Sequence, residues 1–534
     1  MVLLAATTIL FQPRNECNHP LPRGRQSFDT SGENDYDEPR VARGFPEFKV
    51  TRMLTFPLKE FFTDLFGNDI YLVGGTVRDH LLQRHIAETR DIDLLVTNCT
   101  YQDIERKLSP HGKTNTVGKS FAVIKFTRDG HTFDIAVPRK DSRLNDRSHG
   151  HRDFAIEQGP HIPLEEDLKR RDFTCNSIAW RLADDAIIDP FAGVRAIRER
   201  RLIMTSRDTF SDDPLRILRA ARFAAVLRFA VDEAIYLHVK DVSLQELSVE
   251  RIMDELFRLL LESEEPSRGL TEFFRLAILE KLFPELFALT LTIQDSFFHP
   301  ERDEYGHHTV WAHTLICADI ARKLGRQYAL DDERCLALLL GALLHDIGKA
   351  ATTHWEFKRS RMTVTSIGHD TQGVKISENL LNRLRIETRN HYPLKKVILN
   401  LVKYHHRIFA LYRDQETISY KTIARTFKEM ENEDLLLILL DFADRRSRET
   451  VPLEFAALDE ISQWFLRKKE EFQINRETIR PLIMGRDLLS LGLSPGVEMG
   501  KQLKKIYELQ LDGAFKTKEE GMAIIKEWLA AESR

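Results

Sequence analysis

The stretch that most constrains this chain is YLVGGTVRDHLLQRHIAETRDIDLLVT, from Tyr71 to Thr97. An apolar run, two glycines, a helical pattern and a second apolar run predict strand, tight turn, helix, loop and strand. Alternate residues of a strand leave the same face, so Asp91 and Asp93 present their carboxylates side by side. Two like charges held there need a cation. Hard oxygen donors with room for phosphate oxygens suit magnesium, and a pair of such ions suits in-line attack on phosphorus. Asp134, in the strand HTFDIAVPR, adds a third carboxylate from a neighbouring strand. Gly74 and Gly75 place bare backbone N–H groups at a helix N-terminus, where polyphosphate binds well, and Arg78 offers a fork of donors to it. A lone Gly-Gly is usually only a turn and a lone DxD usually surface charge; the order and spacing of these elements make the signal specific.

The pattern around this stretch changes once along the chain. From Phe48 to Trp180 short β-branched runs (DIYLV, DIDLLV, FAVIKF, TFDIAV) alternate with helical stretches, and PRKDSRLNDRSHGHRDF reads as a charged loop. From Asp213 onward the reading is almost wholly helical. PLRILRAARFAAVLRF opens with Pro214 behind Asp212 and Asp213, and Ser248 caps LSVERIMDELFRLLL without a capping box, because Arg251 stands where Glu or Gln is needed. With 534 residues and 42% hydrophobic side chains the chain builds a large core in several domains. Residues 12–47 mix Pro, Gly, Arg, Asp, Asn and Ser with few aliphatics, the composition of a disordered segment.

A net charge of −4 and a pI near 6.6 exclude a uniformly basic surface, so any contact with nucleic acid must come from local Lys/Arg clusters. Five scattered cysteines without CxxC spacing indicate neither a disulfide framework nor a zinc knuckle, which fits a reducing cytoplasm. MVLLAATTILF is too short to span a bilayer and lacks a basic start, so no membrane anchor is expected.

Further on, ALLLGALLHDIGKA runs an apolar helix into His345 and Asp346. A histidine on an apolar helix is more often a hydrogen-bonded core residue than a ligand. Here His313, His369, His405, His406 and Asp444 flank the pair in sequence, which favours a bound metal able to activate water against phosphoesters.

GGTVRD with DID resembles the signature of the nucleotidyltransferase superfamily, and within it the group of bacterial tRNA nucleotidyltransferases (CCA-adding enzymes) and poly(A) polymerases. RRDFTCNSIAW, Arg170 to Trp180, is similar to that group's second motif. The resemblance implies that Arg171 and Asp172 contact the nucleotide's phosphate and ribose while Asn176 braces them. DDPLRILRAARF resembles the base-selecting motif, usually EDxxR, with Asp212 in place of the glutamate; SVERIMDE resembles its supporting helix. No nucleic-acid template reads CTP or ATP here, so side chains must do so, and the carboxylate of Asp213 beside the donor fork of Arg216 suits that task. Arg216, Arg219 and Arg222 fall on one third of the helix circumference. His313, His345, Asp346 and Asp444 match the H, HD and D pattern of an HD phosphohydrolase domain, with His369 and His405 as additions. The tail segment GRDLLSLGLSPGVEMGKQL resembles the tRNA-contacting end of such enzymes.

The resemblance covers about residues 68–530 and implies an α+β fold. Residues 1–47 form an extension, 48–190 a nucleotidyltransferase-type head with a mixed antiparallel sheet, 191–292 a helical neck, 293–450 an HD domain and 451–534 a helical tail. The implied activity is addition of CMP and AMP to the 3′ end of tRNA, with Mg2+ at the head and a divalent transition metal in the HD domain. The implied partners are tRNA, CTP and ATP, with no DNA and no membrane; the oligomeric state stays open. An enzyme adding only the final A shares every motif, and the loop from Pro138 to Glu166 suits either. A poly(A) polymerase is disfavoured by the mildly acidic charge and the histidine block, and an HD phosphohydrolase with a merely binding head by the intact aspartates, Gly-Gly turn and Arg78.

Overall fold

The computed structural model describes residues 56–84, 92–117, 123–143, 154–449, 458–471 and 481–532, apart from 241, 359, 419, 432, 512, 513 and 516. Asp91, Cys17, the expected extension 1–47 and the middle of the charged loop lie outside the described residues.

The head is built on a seven-stranded sheet. Its strands are β1 (Ile70–Val73), β2 (Ile92–Val96), β3 (Lys113–Val117), β4 (Val123–Arg128) and β5 (His131–Ala136). β6 (Arg139–Arg143) and β7 (Phe154–Gln158) form a separate antiparallel hairpin, and β8 (Ala179–Arg181) and β9 (Ile187–Ile188) complete the sheet in the order β3-β4-β5-β2-β1-β8-β9. The central pair, β2 with β5, is parallel and places Asp93 directly opposite Asp134; every other neighbouring pair is antiparallel. The alternation legible in TFDIAV is the cause: Phe133 and Ile135 turn into the core and Asp134 turns out. Phe62 packs edge-on against Phe133 with ring centroids 4.9 Å apart, so the Lys59–Phe66 helix covers the sheet's inner face. The charged loop departs from the expectation of irregular chain, because its two ends pair along the β6–β7 ladder.

Beyond the sheet the chain is helical, as expected, with exceptions. β10 (Arg201–Leu202) and β11 (Ala230–Val231) make a short parallel bridge, and β12 (His354–Lys358) with β13 (Arg361–Thr365) forms a hairpin inside the histidine block. The Leu215–Leu227 helix starts one residue after Pro214, where the Asp213 carboxylate accepts from the Leu215 N–H. It lies against Val249–Glu262, whose N-cap is Ser248, and Pro266–Arg275. Helices Val310–Gln327, Asp332–Leu344, Leu394–Tyr404 and Asp434–Arg446 pack around the histidines. Among the described residues the stretch Asp332–Thr352 is long and apolar enough to cross a membrane, yet 83% of its most apolar window is buried inside the protein, as a core helix requires. A separate small core, around Leu488, Ile506, Phe515 and Ile525, joins the last helices.

Candidate functional site

Gly74 sits at the end of β1 with φ 74° and ψ −138°, a region only glycine enters cheaply. Its missing side chain also matters. A Cβ there would lie 3.1 Å from Arg171 Nη1 and 3.4 Å from Asp93 Oδ2, so the turn, the carboxylate and the guanidinium meet at one point. Gly75 opens the Gly75–Leu81 helix, and the Arg78 guanidinium folds back to within 3.4 Å of where its Cβ would be. Asp93 is exposed between buried neighbours, while Asp134 holds Lys125 at 3.0 Å. Exposed oxygens beside a side-chain-free turn fit a hard cation such as Mg2+.

From Arg78 a continuous relay of polar contacts runs into the helices. Arg78 Nη1 donates to Asn176 Oδ1 (2.6 Å), Asn176 Nδ2 donates to Asp172 Oδ1 (2.8 Å), and Arg219 Nε donates to Asp172 Oδ2 (2.8 Å). Arg219 Nη1 reaches Glu255 at 3.4 Å and Arg222 Nε donates to Glu255 Oε2 at 2.6 Å. Phe223 stacks under the group, with the Arg222 guanidinium 4.2 Å from the ring centroid. The arginine face of the Leu215–Leu227 helix is therefore no solvated stripe: Arg222 is buried and its charge is matched by buried Glu255. Burial alone would raise the Asp172 carboxyl, but Arg219, Asn176 and Arg216 outweigh it and hold it at about 2. Asp167 is likewise held below its ordinary value: burial opposes this, and Arg171 and Arg170 prevail.

Asp213 and Arg216 are both held in place. Arg251 Nη2 donates to Asp213 Oδ2 at 2.7 Å, and Arg216 donates to the backbone carbonyls of Thr209 and Arg170. Gly74, Gly75, Arg78, Asp93, Arg171, Asp172, Asn176, Asp213, Arg216, Arg219 and Arg222 all line one cavity of about 790 Å³, a size for a nucleotide; Asp134 is not in its lining. Sequence reasoning missed Arg251, Glu255 and Asp167 as individual groups. The spacing gave a signal: Arg251 and Glu255 are one turn apart, and Asp167 precedes Arg170 and Arg171 by three and four residues.

The histidine block closes on itself. His313, His345, Asp346, His405 and Asp444 are all buried. His345 Nδ1 lies 2.8 Å from the Ala342 carbonyl, His369 Nδ1 2.8 Å from that of Ser366 and His405 Nδ1 2.7 Å from that of Val402, so each ring donates there and turns Nε2 inward. The inward nitrogens meet in pairs, His313 with His345 at 3.3 Å and His369 with His405 at 3.2 Å. Lone pairs facing each other so closely repel unless a cation lies between, and two nitrogens each roughly 2.1 Å from one ion would have about this separation. Asp346 links the pairs: Oδ2 lies 3.3 Å from His345 Nε2, Oδ1 lies 3.4 Å from His369 Nε2, and Oδ1 is buried without a hydrogen-bond donor. Asp444 Oδ1 lies 3.0 Å from His313 Nε2, and its Oδ2 3.5 Å from His406 Nδ1.

Burial and neighbouring imidazoles push His405 far below its ordinary value, and burial pushes His406 down to about 4, so both rings are neutral at pH 7 as ligands must be. His313 is raised instead: burial opposes this, and Asp444 and Glu301 prevail. Glu301 Oε1, 3.0 Å from His313 Nδ1 and 2.8 Å from His299 Nδ1, orients this ring. Lys349 and Arg448 neutralise Asp346 and Asp444 at 2.6 Å each. These four residues were not read from the sequence, although Lys349 follows Asp346 by three and Arg448 follows Asp444 by four.

Comparison with known proteins places the chain in a family. The poly A polymerase head domain matches residues 70–203, the probable RNA and SrmB-binding site of polymerase A matches 230–289, and the HD domain matches 310–449. The multifunctional CCA protein of Stenotrophomonas maltophilia (strain K279a) is 34% identical over 389 residues, spanning 71% of this chain and 86% of that protein. That of Xylella fastidiosa is 31% identical over 71% of this chain and 84% of its own length. Among solved structures, the Bacillus stearothermophilus CCA-adding enzyme in complex with CTP superposes with a TM-score of 0.58 at 21% identity, covering 90% of this chain and 99% of that one. The Thermotoga maritima CCA-adding enzyme complexed with tRNA gives 0.53 at 20% identity over 88% and 94%. The two structural likenesses establish the shared fold, and the identity to the curated proteins over most of their length establishes that this chain belongs to the multifunctional CCA protein family.

Proposed function

We propose that this chain adds CMP and AMP, from CTP and ATP, to the 3′ end of tRNA. One observation carries the reading: the relay Arg78–Asn176–Asp172–Arg219–Glu255–Arg222 ties the helix that opens at the Gly-Gly turn to the helix that bears Arg216. Asp91, Asp93 and Asp134 would hold Mg2+, which supplies charge neutralisation at the triphosphate. The terminal ribose hydroxyl of the tRNA gives up its proton to water as its oxygen bonds to the α-phosphorus, the α–β phosphoanhydride bond breaks, and pyrophosphate leaves toward Arg78 and Arg171. Asp213, steadied by Arg251, and Arg216, steadied by two carbonyls, read the base edge. Positioning and fixed charge carry the rate.

In this reading residues 48–190 form the catalytic head and 191–292 the base-selecting neck, 293–450 form the HD domain and the helices after 451 touch tRNA. The described cysteines are all free, in keeping with a reducing cytoplasm. A second activity, metal-dependent phosphoester hydrolysis, is favoured by the facing imidazole pairs joined by Asp346. His313, His345, Asp346 and Asp444 would hold a divalent transition metal, and His369 and His405 a second one.

The deciding experiment gives the protein tRNA transcripts ending before CCA, after C and after CC, with CTP, ATP and Mg2+. Extension of all three to one CCA end is expected. Growth of the CC-ended transcript alone would make this an A-adding enzyme, long A ladders a poly(A) polymerase, and no extension would overturn the transferase reading. His345→Ala is expected to lose hydrolysis and bound transition metal while keeping CCA addition.

A further inference from the structure

The β12–β13 hairpin has two unlike faces. On one, His354, Glu356, Lys358 and Thr365 satisfy one another, with Lys358 Nζ 2.6 Å from Glu356 and His354 Nε2 3.2 Å from Thr365 Oγ1. On the other, Trp355 pairs with Val364 and Phe357 with Met362. That second face should be the buried one in a two-stranded ribbon, yet Trp355 is 63% exposed and Phe357 69%.

The apolar face does not end at the hairpin. Val364 lines a cavity of about 550 Å³ together with Phe298 and Ile367, which are also exposed. The same cavity is lined by Lys349, His369, His406 and Arg448 and, opposite in sign, by Asp295 and Asp370. Phe297 lies beside Phe298 (centroids 5.0 Å apart) and carries the Arg361 guanidinium at 5.2 Å, which Asp295 pairs at 3.5 Å, so the rim is aromatic and its guanidinium is held in place. Stacking faces leading to a pocket whose lining offers the Lys349 ammonium, the Arg448 guanidinium and two imidazoles complement a chain of bases that ends in a phosphate.

We propose that this rim is a stacking platform for the 3′ end of a single-stranded RNA whose terminal phosphate enters the histidine cavity. A free mononucleotide needs only one aromatic beside the cavity. Here Phe298 stands at the mouth and Trp355 and Phe357 continue outward, about 7 Å apart along one strand face, room for more than one base. The inference rests on the hydrolytic reading of the cluster for its direction, and its test is separable because it reads binding.

The probe is a 5′-fluorescein hexaribonucleotide with a 3′-terminal phosphate and 4-thiouridine as the penultimate residue, mixed with the full chain. Photo-crosslinks mapped by mass spectrometry are expected at residues 297–298 and 354–367. The Trp355→Ala/Phe357→Ala double variant is expected to lose these crosslinks and to bind the hexamer at least tenfold more weakly, since each base–aromatic stack contributes about a factor of ten. Its melting temperature and CCA addition should match the wild type, because both side chains are exposed and neither lines the nucleotide-sized cavity. 3′-AMP is expected to compete poorly with the hexamer; competition at equal concentration would replace the RNA end by a mononucleotide and overturn the proposal. Crosslinks confined to the head or tail would also overturn it, as would unchanged affinity in the double variant. So would the apolar face proving to be a contact between two copies, read as dimerisation abolished by the variant without RNA crosslinks. A failure of hydrolysis with the crosslinks intact would sink the phosphohydrolase reading and leave the platform standing.

Discussion

Gly74 shows how much one missing atom can decide. Its backbone conformation is costly for any L side chain, and a Cβ would press against Arg171 and Asp93 together. Gly74→Ala is expected to destabilise the protein by about 1–3 kcal/mol and to lower kcat/KM for CTP by roughly 100-fold, checked by urea unfolding and steady-state kinetics at a temperature where the variant is folded. Asp172 makes a pH prediction. Its folded pKa of about 2 is below the ordinary carboxyl value of 3.8, so its contribution is complete above pH 4 and fades as pH falls toward 2. The lost stability is about 2 kcal/mol on the linkage relation. Asp172→Asn should already lack it at pH 5, so the wild-type advantage shrinks between pH 4 and 2; an advantage independent of pH would contradict the carboxylate–Arg219 account. Residues such as Gly74, Asp93 and Arg78 are legible in sequence because short-range spacing fixes them. Asp172 is legible as a motif member only, since its partner Arg219 lies 47 residues away.

At the scale of elements, two helices meet through charges. Val249–Glu262 presents Glu255 to Arg219 and Arg222 of Leu215–Leu227, with Arg222 and Glu255 almost fully buried. Removing one partner from such a pair strands the other, so Glu255→Gln should cost about 3–5 kcal/mol and raise KM for both CTP and ATP, as the arginine face loosens. Urea unfolding with nucleotide titration checks this; a large stability loss with unchanged KM would make Glu255 purely structural. The supporting helix could be read from SVERIMDE and its apolar period, but which of its charges faces inward depended on tertiary packing. The β12–β13 hairpin was missed for another reason. HWEFKRSRMTVT alternates apolar and polar residues in strand fashion, but the histidine-rich surroundings read as helix and the apolar residues face outward, so no core demanded the alternation.

For the molecule as a whole, the question is how the histidine block is joined to the nucleotide-binding part. The Val310–Gln327 helix carries both ends of the joint. Arg322 donates to the carbonyls of Ser263 and Leu261 where Val249–Glu262 ends, and Asp319 accepts from Ser267 N (2.9 Å) and Oγ (2.6 Å) where Pro266–Arg275 begins. One helix thus caps the C-terminus of the helix whose Glu255 pairs with Arg219 and Arg222, and the N-terminus of the next, with the charge sign each end favours. The Asp319 cap is in tension with its burial, which lifts its carboxyl to about 6 although the Ser267 bonds oppose the shift. A carboxyl whose folded pKa is raised favours the fold most at low pH, below the unfolded value of 3.8, and that advantage is lost as pH rises through 6. Asp319→Asn keeps an oxygen for the Ser267 N–H without the charge. Relative to wild type, the variant should therefore gain about 2–3 kcal/mol between pH 4 and pH 7.5. Urea unfolding of both proteins across that range measures the difference directly. A constant difference would mean that Asp319 does not titrate in the joint, and a loss that grows with pH would mean that the ionised carboxylate, not its neutral form, is what fastens the Val310–Gln327 helix to Pro266–Arg275.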